Sequence, residues 1–139
     1  MITAVDTSVL LDVFLADPEY GPASQRALRA SALQGRLVAC DVVWAETGAA
    51  FPDADGAEAA FTRLGLEFEP LSSEAALRAG QLWKAWRAAG GKRERVVADF
   101  LIGAHALVQA DRLLTRDRGF YRKWLSGLVV IDPSTGEPS

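Results

Sequence analysis

The stretch Ile2-Thr3-Ala4-Val5-Asp6-Thr7-Ser8-Val9-Leu10-Leu11-Asp12-Val13-Phe14-Leu15 changes its period at Asp6. Before Asp6 lies a short apolar strand. After it, Asp6-Thr7-Ser8 offers the oxygen acceptors that cap a helix, and Val9, Leu10, Leu11, Phe14 and Leu15 repeat at helical spacing. Asp6 is therefore expected at a strand end.

The same alternation continues outward. Pro18 and Gly21-Pro22 break the chain, and Ala27, Leu28, Ala30 and Leu33 mark a second helix ending near Gly35. Residues 37–40 read as a second buried strand. Asp41 is placed to cap the next helix, which carries Glu46 on its second turn. Residues 51–55 turn into another short helix, 66–70 alternate as a third strand, and a long helix runs from Ser73 to about Ala89. The Gly90-Gly91-Lys92-Arg93 loop precedes an apolar helix over 96–110 with Asp99 in its first turns. Residues 112–115 form a strand, 116–118 a turn, 120–125 a short helix and 128–131 a last strand.

Strands separated by helices predict an α/β domain, with a parallel twisted sheet of four to five short strands flanked by helices on both faces. Function in such sheets gathers at the carboxyl ends of the strands, near the point where strand order reverses. The expected organisation is one domain over residues 1–133 and a flexible tail over 134–139.

With 139 residues, half of them hydrophobic, the chain can bury a core without disulfides. Its one cysteine, Cys40, sits in an apolar run and reads as a small buried hydrophobe, which fits a reducing cytoplasm. No basic and apolar leader precedes the first strand, and no apolar stretch is long enough to cross a bilayer, so a soluble, cytoplasmic protein is expected. The net charge of −3 gives no support to nucleic-acid binding. The distribution says more: Lys92, Arg93 and Arg95 form one basic cluster, and Arg112, Arg116, Arg118, Arg122 and Lys123 another. Either alone is ordinarily a solvated face.

Asp6 and Asp117 follow buried strands directly, and Asp99 lies within Val96-Val97-Ala98-Asp99-Phe100-Leu101-Ile102. A buried carboxylate needs a partner. For Asp99 that partner could be Arg95, one helical turn earlier. Carboxylates converging at one strand edge would instead repel one another and call for a cation. All-oxygen ligands suit Mg²⁺ or Mn²⁺, whereas zinc favours His and Cys, of which this chain has one each. Such sites are suited to in-line attack on a phosphodiester.

Four segments together resemble PIN-domain nucleases, especially the VapC-type toxins of type II toxin-antitoxin systems. They are Asp6-Thr7-Ser8-Val9-Leu10-Leu11, the single Glu46, residues 95–106 around Asp99, and Leu113-Leu114-Thr115-Arg116-Asp117. The resemblance implies a PIN-like fold in which Asp6, Glu46, Asp99 and Asp117 are the catalytic and metal-binding carboxylates. Thr7, Ser8 and Thr115 would be polar groups behind them. It further implies an endoribonuclease dependent on Mg²⁺ (or Mn²⁺), a homodimer, and a cognate antitoxin of VapB type.

Under that resemblance Lys92, Arg93, Arg95, Arg116 and Arg118 adjoin the acidic site and are expected to contact RNA through its phosphates. His105, six residues beyond Asp99 on an apolar helix, is expected to pack in the core. Trp83 and Trp86, at i and i+3, and Trp44, Phe51 and Phe61 before them read first as core. The family offers another use for such aromatics, an apolar groove for an antitoxin peptide.

Two other classes compete, a silent module of the same family and a different parallel α/β fold. A catalytically silent PIN-like metal- and partner-binding module would bind metal without cleaving RNA, but has little need for four like charges. A haloacid dehalogenase-type phosphatase should carry an acid two residues after Asp6, where Ser8 stands. A receiver domain should carry a late lysine, and none lies between Lys92 and Lys123.

Overall fold

In the computed structural model, which describes residues 1–91 and 97–135, five strands form one parallel sheet in the order β3-β2-β1-β4-β5. They are β1 (Ile2–Val5), β2 (Arg36–Ala39), β3 (Leu66–Phe68), β4 (Arg112–Leu114) and β5 (Val130–Ile131). Ala4, Val5, Leu37, Val38, Leu113, Leu114 and Val130 are almost wholly buried, as expected of strands covered on both faces. The expected α/β domain with a parallel sheet is what forms, and it has five strands.

From β1 the chain passes through α1 (Thr7–Phe14) and α2 (Gly21–Gln34) to β2, then through α3 (Asp41–Gly48) and α4 (Ala54–Leu64) to β3. It returns through α5 (Ser73–Ala88) and α6 (Val97–Gln109) to β4, on the far side of β1, and through α7 (Arg118–Trp124) to β5. Parallel crossovers are right-handed almost without exception. The reversal at β1 therefore sends the helices before β3 to one face and those after it to the other. Ala75, Ala79, Trp86, Phe100 and Ala104 make a second apolar cluster between α5 and α6. Gly103 lets α6 lie close on α7, since a Cβ there would stand 2.6 Å from the Leu125 side chain and 2.9 Å from Tyr121.

Several expected boundaries move for local reasons. Gly21-Pro22 opens α2 rather than breaking the chain before it, because a proline in the first turn sacrifices no helical hydrogen bond. Asp41 is the first residue of α3 and not its cap; Cys40 holds that place, and Asp41 Oδ1 accepts from the Leu71 N–H at 3.3 Å. Arg112, expected in a basic surface cluster, is an interior residue. Its Nε donates to Thr3 Oγ1 at 2.8 Å and its Nη2 to Ser31 and Gln34, joining β4, β1 and α2 at the amino edge of the sheet.

Ser134 is tied to Asp132 Oδ1 through its N–H and its hydroxyl, while residues 136–139 of the expected tail lie outside the described residues. Among the described residues no helix is long and apolar enough to cross a membrane.

Candidate functional site

Strand pairing sets the first pair of site residues. Val5 stands opposite Leu114 across β1 and β4, so the next residues, Asp6 and Thr115, leave the sheet side by side. The Asp6 N–H donates to the Leu114 carbonyl at 2.9 Å, and Thr115 Oγ1 donates to Asp6 Oδ2 at 2.6 Å. Asp6 Oδ1 accepts from the Thr7 N–H at 2.7 Å, so Asp6 caps α1. This is the switch point, where connections depart in opposite directions and side chains can converge on a crevice.

The other acids reach the same edge from different elements. Glu46, exposed on α3, accepts from Thr7 Oγ1 at 2.8 Å. Asp117, the residue before α7, donates its N–H to Thr115 Oγ1 at 3.0 Å. Asp99 is partly buried in the first turn of α6. The Asp6 carboxyl is pushed up to about 6, first by burial and then by the negative charges of Asp99 and Asp117, against the pull of its bonds from Thr115 and Thr7. Thr7 thus links Asp6 to Glu46, and Thr115 links it to Asp117.

The donor set fits a hard divalent cation. Its ligands would be carboxylate oxygens, and burial opposes the ionisation of Asp6, which a positive charge nearby would favour. Ser8 Oγ, in the first turn of α1, is buried without a hydrogen-bond partner among the described residues. As they stand, no three acidic, His or Cys side chains of the described residues close on one point as a ready cage. Mg²⁺ seldom needs one, because it keeps several waters and binds through one or two carboxylates.

Sequence reasoning overlooked Asp12. Its signal was present, a lone carboxylate in an apolar helix, the same signal that singled out Asp99. Asp12 is 3% exposed and holds Arg116 in a two-pronged pair, Nε to Oδ2 at 2.7 Å and Nη2 to Oδ1 at 2.9 Å. Arg116, expected to face RNA, is thus engaged on α1. Arg118 lies 3.6 Å from Asp132 and keeps much of its side chain in solvent. Lys92, Arg93 and Arg95, and with them the alternative pairing of Asp99 to Arg95, lie outside the described residues.

His105 is buried, as expected of a core residue, and its Nε2 meets Glu69 Oε1 at 3.0 Å. The aromatics separate into two groups. Trp86 packs on Phe100 in the second cluster. Trp44, Phe51 and Phe61 line a concavity of about 440 Å³ between α3 and α4, and Trp44 also meets the ring of Phe68, which is 49% exposed.

Residues 3–123 match the PIN domain. The chain belongs to the PIN domain family. Solved structures with the same fold include a chain of VapBC2 from Rickettsia felis, crystallised with a DNA fragment from their promoter, at TM-score 0.73 and 18% identity over 95% of this chain and 98% of that one. VapBC-1 from nontypeable Haemophilus influenzae superposes at TM-score 0.73 and 17% identity over 96% and 99%. Mycobacterium tuberculosis VapC20, a toxin that cleaves the sarcin-ricin loop, does so at 0.54 and 20% over 80% and 86%. No curated protein matches in sequence.

The burial of Asp6 in this PIN domain has a thermodynamic sign. Its folded carboxyl holds a proton more tightly than the unfolded one, so its contribution to stability is fully present below about 3.8 and lost as pH rises through about 6. Asp6→Asn removes that dependence. In metal-free buffer the variant should be more stable than wild type at pH 7.5, by up to about 3 kcal/mol, and the gap should close by pH 4. Urea titrations at both pH values check this; a wild type more stable than Asp6→Asn at pH 7.5 contradicts it.

Proposed function

We propose that this PIN-domain protein is a divalent-metal-dependent endoribonuclease, the toxin of a VapBC-type toxin-antitoxin module. The observation that carries the reading is Asp6, a carboxylate buried at the switch point and raised further by Asp99 and Asp117. A site that gathers negative charge where the fold pays for it is built for a cation and, through it, for an anionic substrate. That a protein of this fold, VapC20, cleaves the sarcin-ricin loop supports RNA as the substrate.

In this reading Asp6, Glu46 and Asp99 are direct ligands, with Asp117 acting through water or on a second ion. Bound Mg²⁺ or Mn²⁺ would supply a Lewis acid for the phosphate and a more acidic water. Thr115 and Thr7 fix the orientation of Asp6 and Glu46. Arg118, with Lys92, Arg93 and Arg95, would hold the RNA backbone without reading sequence. Structured RNAs incubated with antitoxin-free protein should be cut in Mg²⁺ and left intact in EDTA. Asp6→Ala or Asp99→Ala should lower the rate by on the order of a hundredfold or more; equal cleavage by wild type and either variant sinks the reading.

The partner would be an antitoxin of VapB type, in keeping with the VapBC complexes that share the fold. The concavity lined by Trp44, Phe51 and Phe61 suits an apolar peptide segment, and the toxin would work in the cytoplasm as a homodimer. Phe51→Ala should weaken binding of the cognate antitoxin, measured calorimetrically, by about tenfold or more while leaving RNA cleavage intact. Unchanged affinity would remove this groove from the interface.

A further inference from the structure

Asp12 is a charged residue in the interior that the proposed chemistry does not use. It sits on α1 six residues beyond Asp6, about 9 Å along the helix axis. Its carboxylate accepts from Arg116 Nε and Nη2 at 2.7 and 2.9 Å and from Ser24 Oγ at 2.8 Å. The Tyr20 ring covers the Arg116 guanidinium at 4.0 Å from Cζ. Tyr20 is held in turn by Asp17 Oδ1, which accepts the Tyr20 N–H at 2.8 Å. Arg116 is the residue between Thr115 and Asp117.

Asp12 is buried but Arg116 keeps part of its side chain in solvent, and an ion pair open to water on one side adds little to stability. Its consequence here is geometric. A guanidinium fork seats on a carboxylate in one planar arrangement. The turn after β4 is therefore braced to α1 at two points. At one, Thr115 grips Asp6 at the start of the helix; at the other, Arg116 grips Asp12 near its end. Asp117 follows directly, its N–H donating to Thr115 Oγ1 at 3.0 Å.

We propose that Asp12 is a positioning residue, which through Arg116 holds Thr115 and Asp117 in the arrangement that the metal site needs. The inference rests on the nuclease reading, and it gives Arg116 a role other than contact with RNA. Without the brace the carboxylates remain, but the turn that carries Asp117 loses its fixed place. Outer partners of this kind typically change metal affinity or turnover by 10- to 100-fold.

The experiment measures Mn²⁺ affinity by electron paramagnetic resonance without substrate, and kcat and KM on an RNA that the wild type cleaves. Asp12→Asn and Arg116→Gln should each weaken Mn²⁺ binding about tenfold and lower kcat ten- to a hundredfold with little change in KM. The double variant should be little worse than either, because both break one contact. Arg116→Lys keeps the charge and loses the fork; it should also lower kcat, and it serves where Asp12→Asn does not fold.

A wild type that binds Mn²⁺ but cuts no RNA, with affinity lost in the variants, would keep the brace and overturn the nuclease reading. Unchanged Mn²⁺ affinity and kcat in the folded variants would overturn the brace. So would an Arg116→Gln effect confined to KM and its salt dependence, the mark of a phosphate contact.

Discussion

The Asp6 carboxylate ends β1 in a place that water scarcely reaches, and the arrangement around it follows from making that burial tolerable. Two of its lone pairs are met by the Thr115 hydroxyl and the Thr7 N–H. The helix that begins there directs its positive end at the carboxylate. These contacts lessen the cost of the charge without removing it, since burial still dominates. The fold holds one acid ready and arranges others within its field. A charge held at such a cost is a familiar trade between stability and function.

The fold was legible because its periods are clean. Val5 to Val9 switches from strand to helix around one capping residue, and strand gives way to helix again after Ala39 and, across a short turn, after Leu114. What escaped was decided by single side chains. Pro22 looked like a break because sequence alone does not distinguish a proline before a helix from one in its first turn. Arg112 looked like surface because nothing in its neighbours announces that Thr3, Ser31 and Gln34 are waiting for it, and two of those lie some 80 or more positions away.

The candidate site was legible to a comparable depth. Asp6, Asp99 and Asp117 stood out by context, whereas exposed Glu46 had only its place in the family's pattern, and the structure adds its bond from Thr7. Asp12 carried the same mark as Asp99, a carboxylate in an apolar helix, but lies about a turn and a half beyond the strand end where the other acids are expected. The Asp12–Arg116 pair spans 104 residues, a separation at which one sequence read without relatives offers no sign of contact. A family resemblance names candidate site residues, whereas a contact between side chains so far apart in sequence comes from coordinates.

The central claim is that these carboxylates, drawn from β1, α3, α6 and the turn before α7, form a site for a divalent cation. Anomalous diffraction from crystals soaked in Mn²⁺ tests it most directly. The account expects a peak at the carboxyl edge of the sheet between β1 and β4, within coordination distance of Asp6 and at least one of Glu46 and Asp99, and its loss in Asp6→Ala crystals. Saturating Mn²⁺ with no peak there, or a peak that persists in Asp6→Ala, would contradict it.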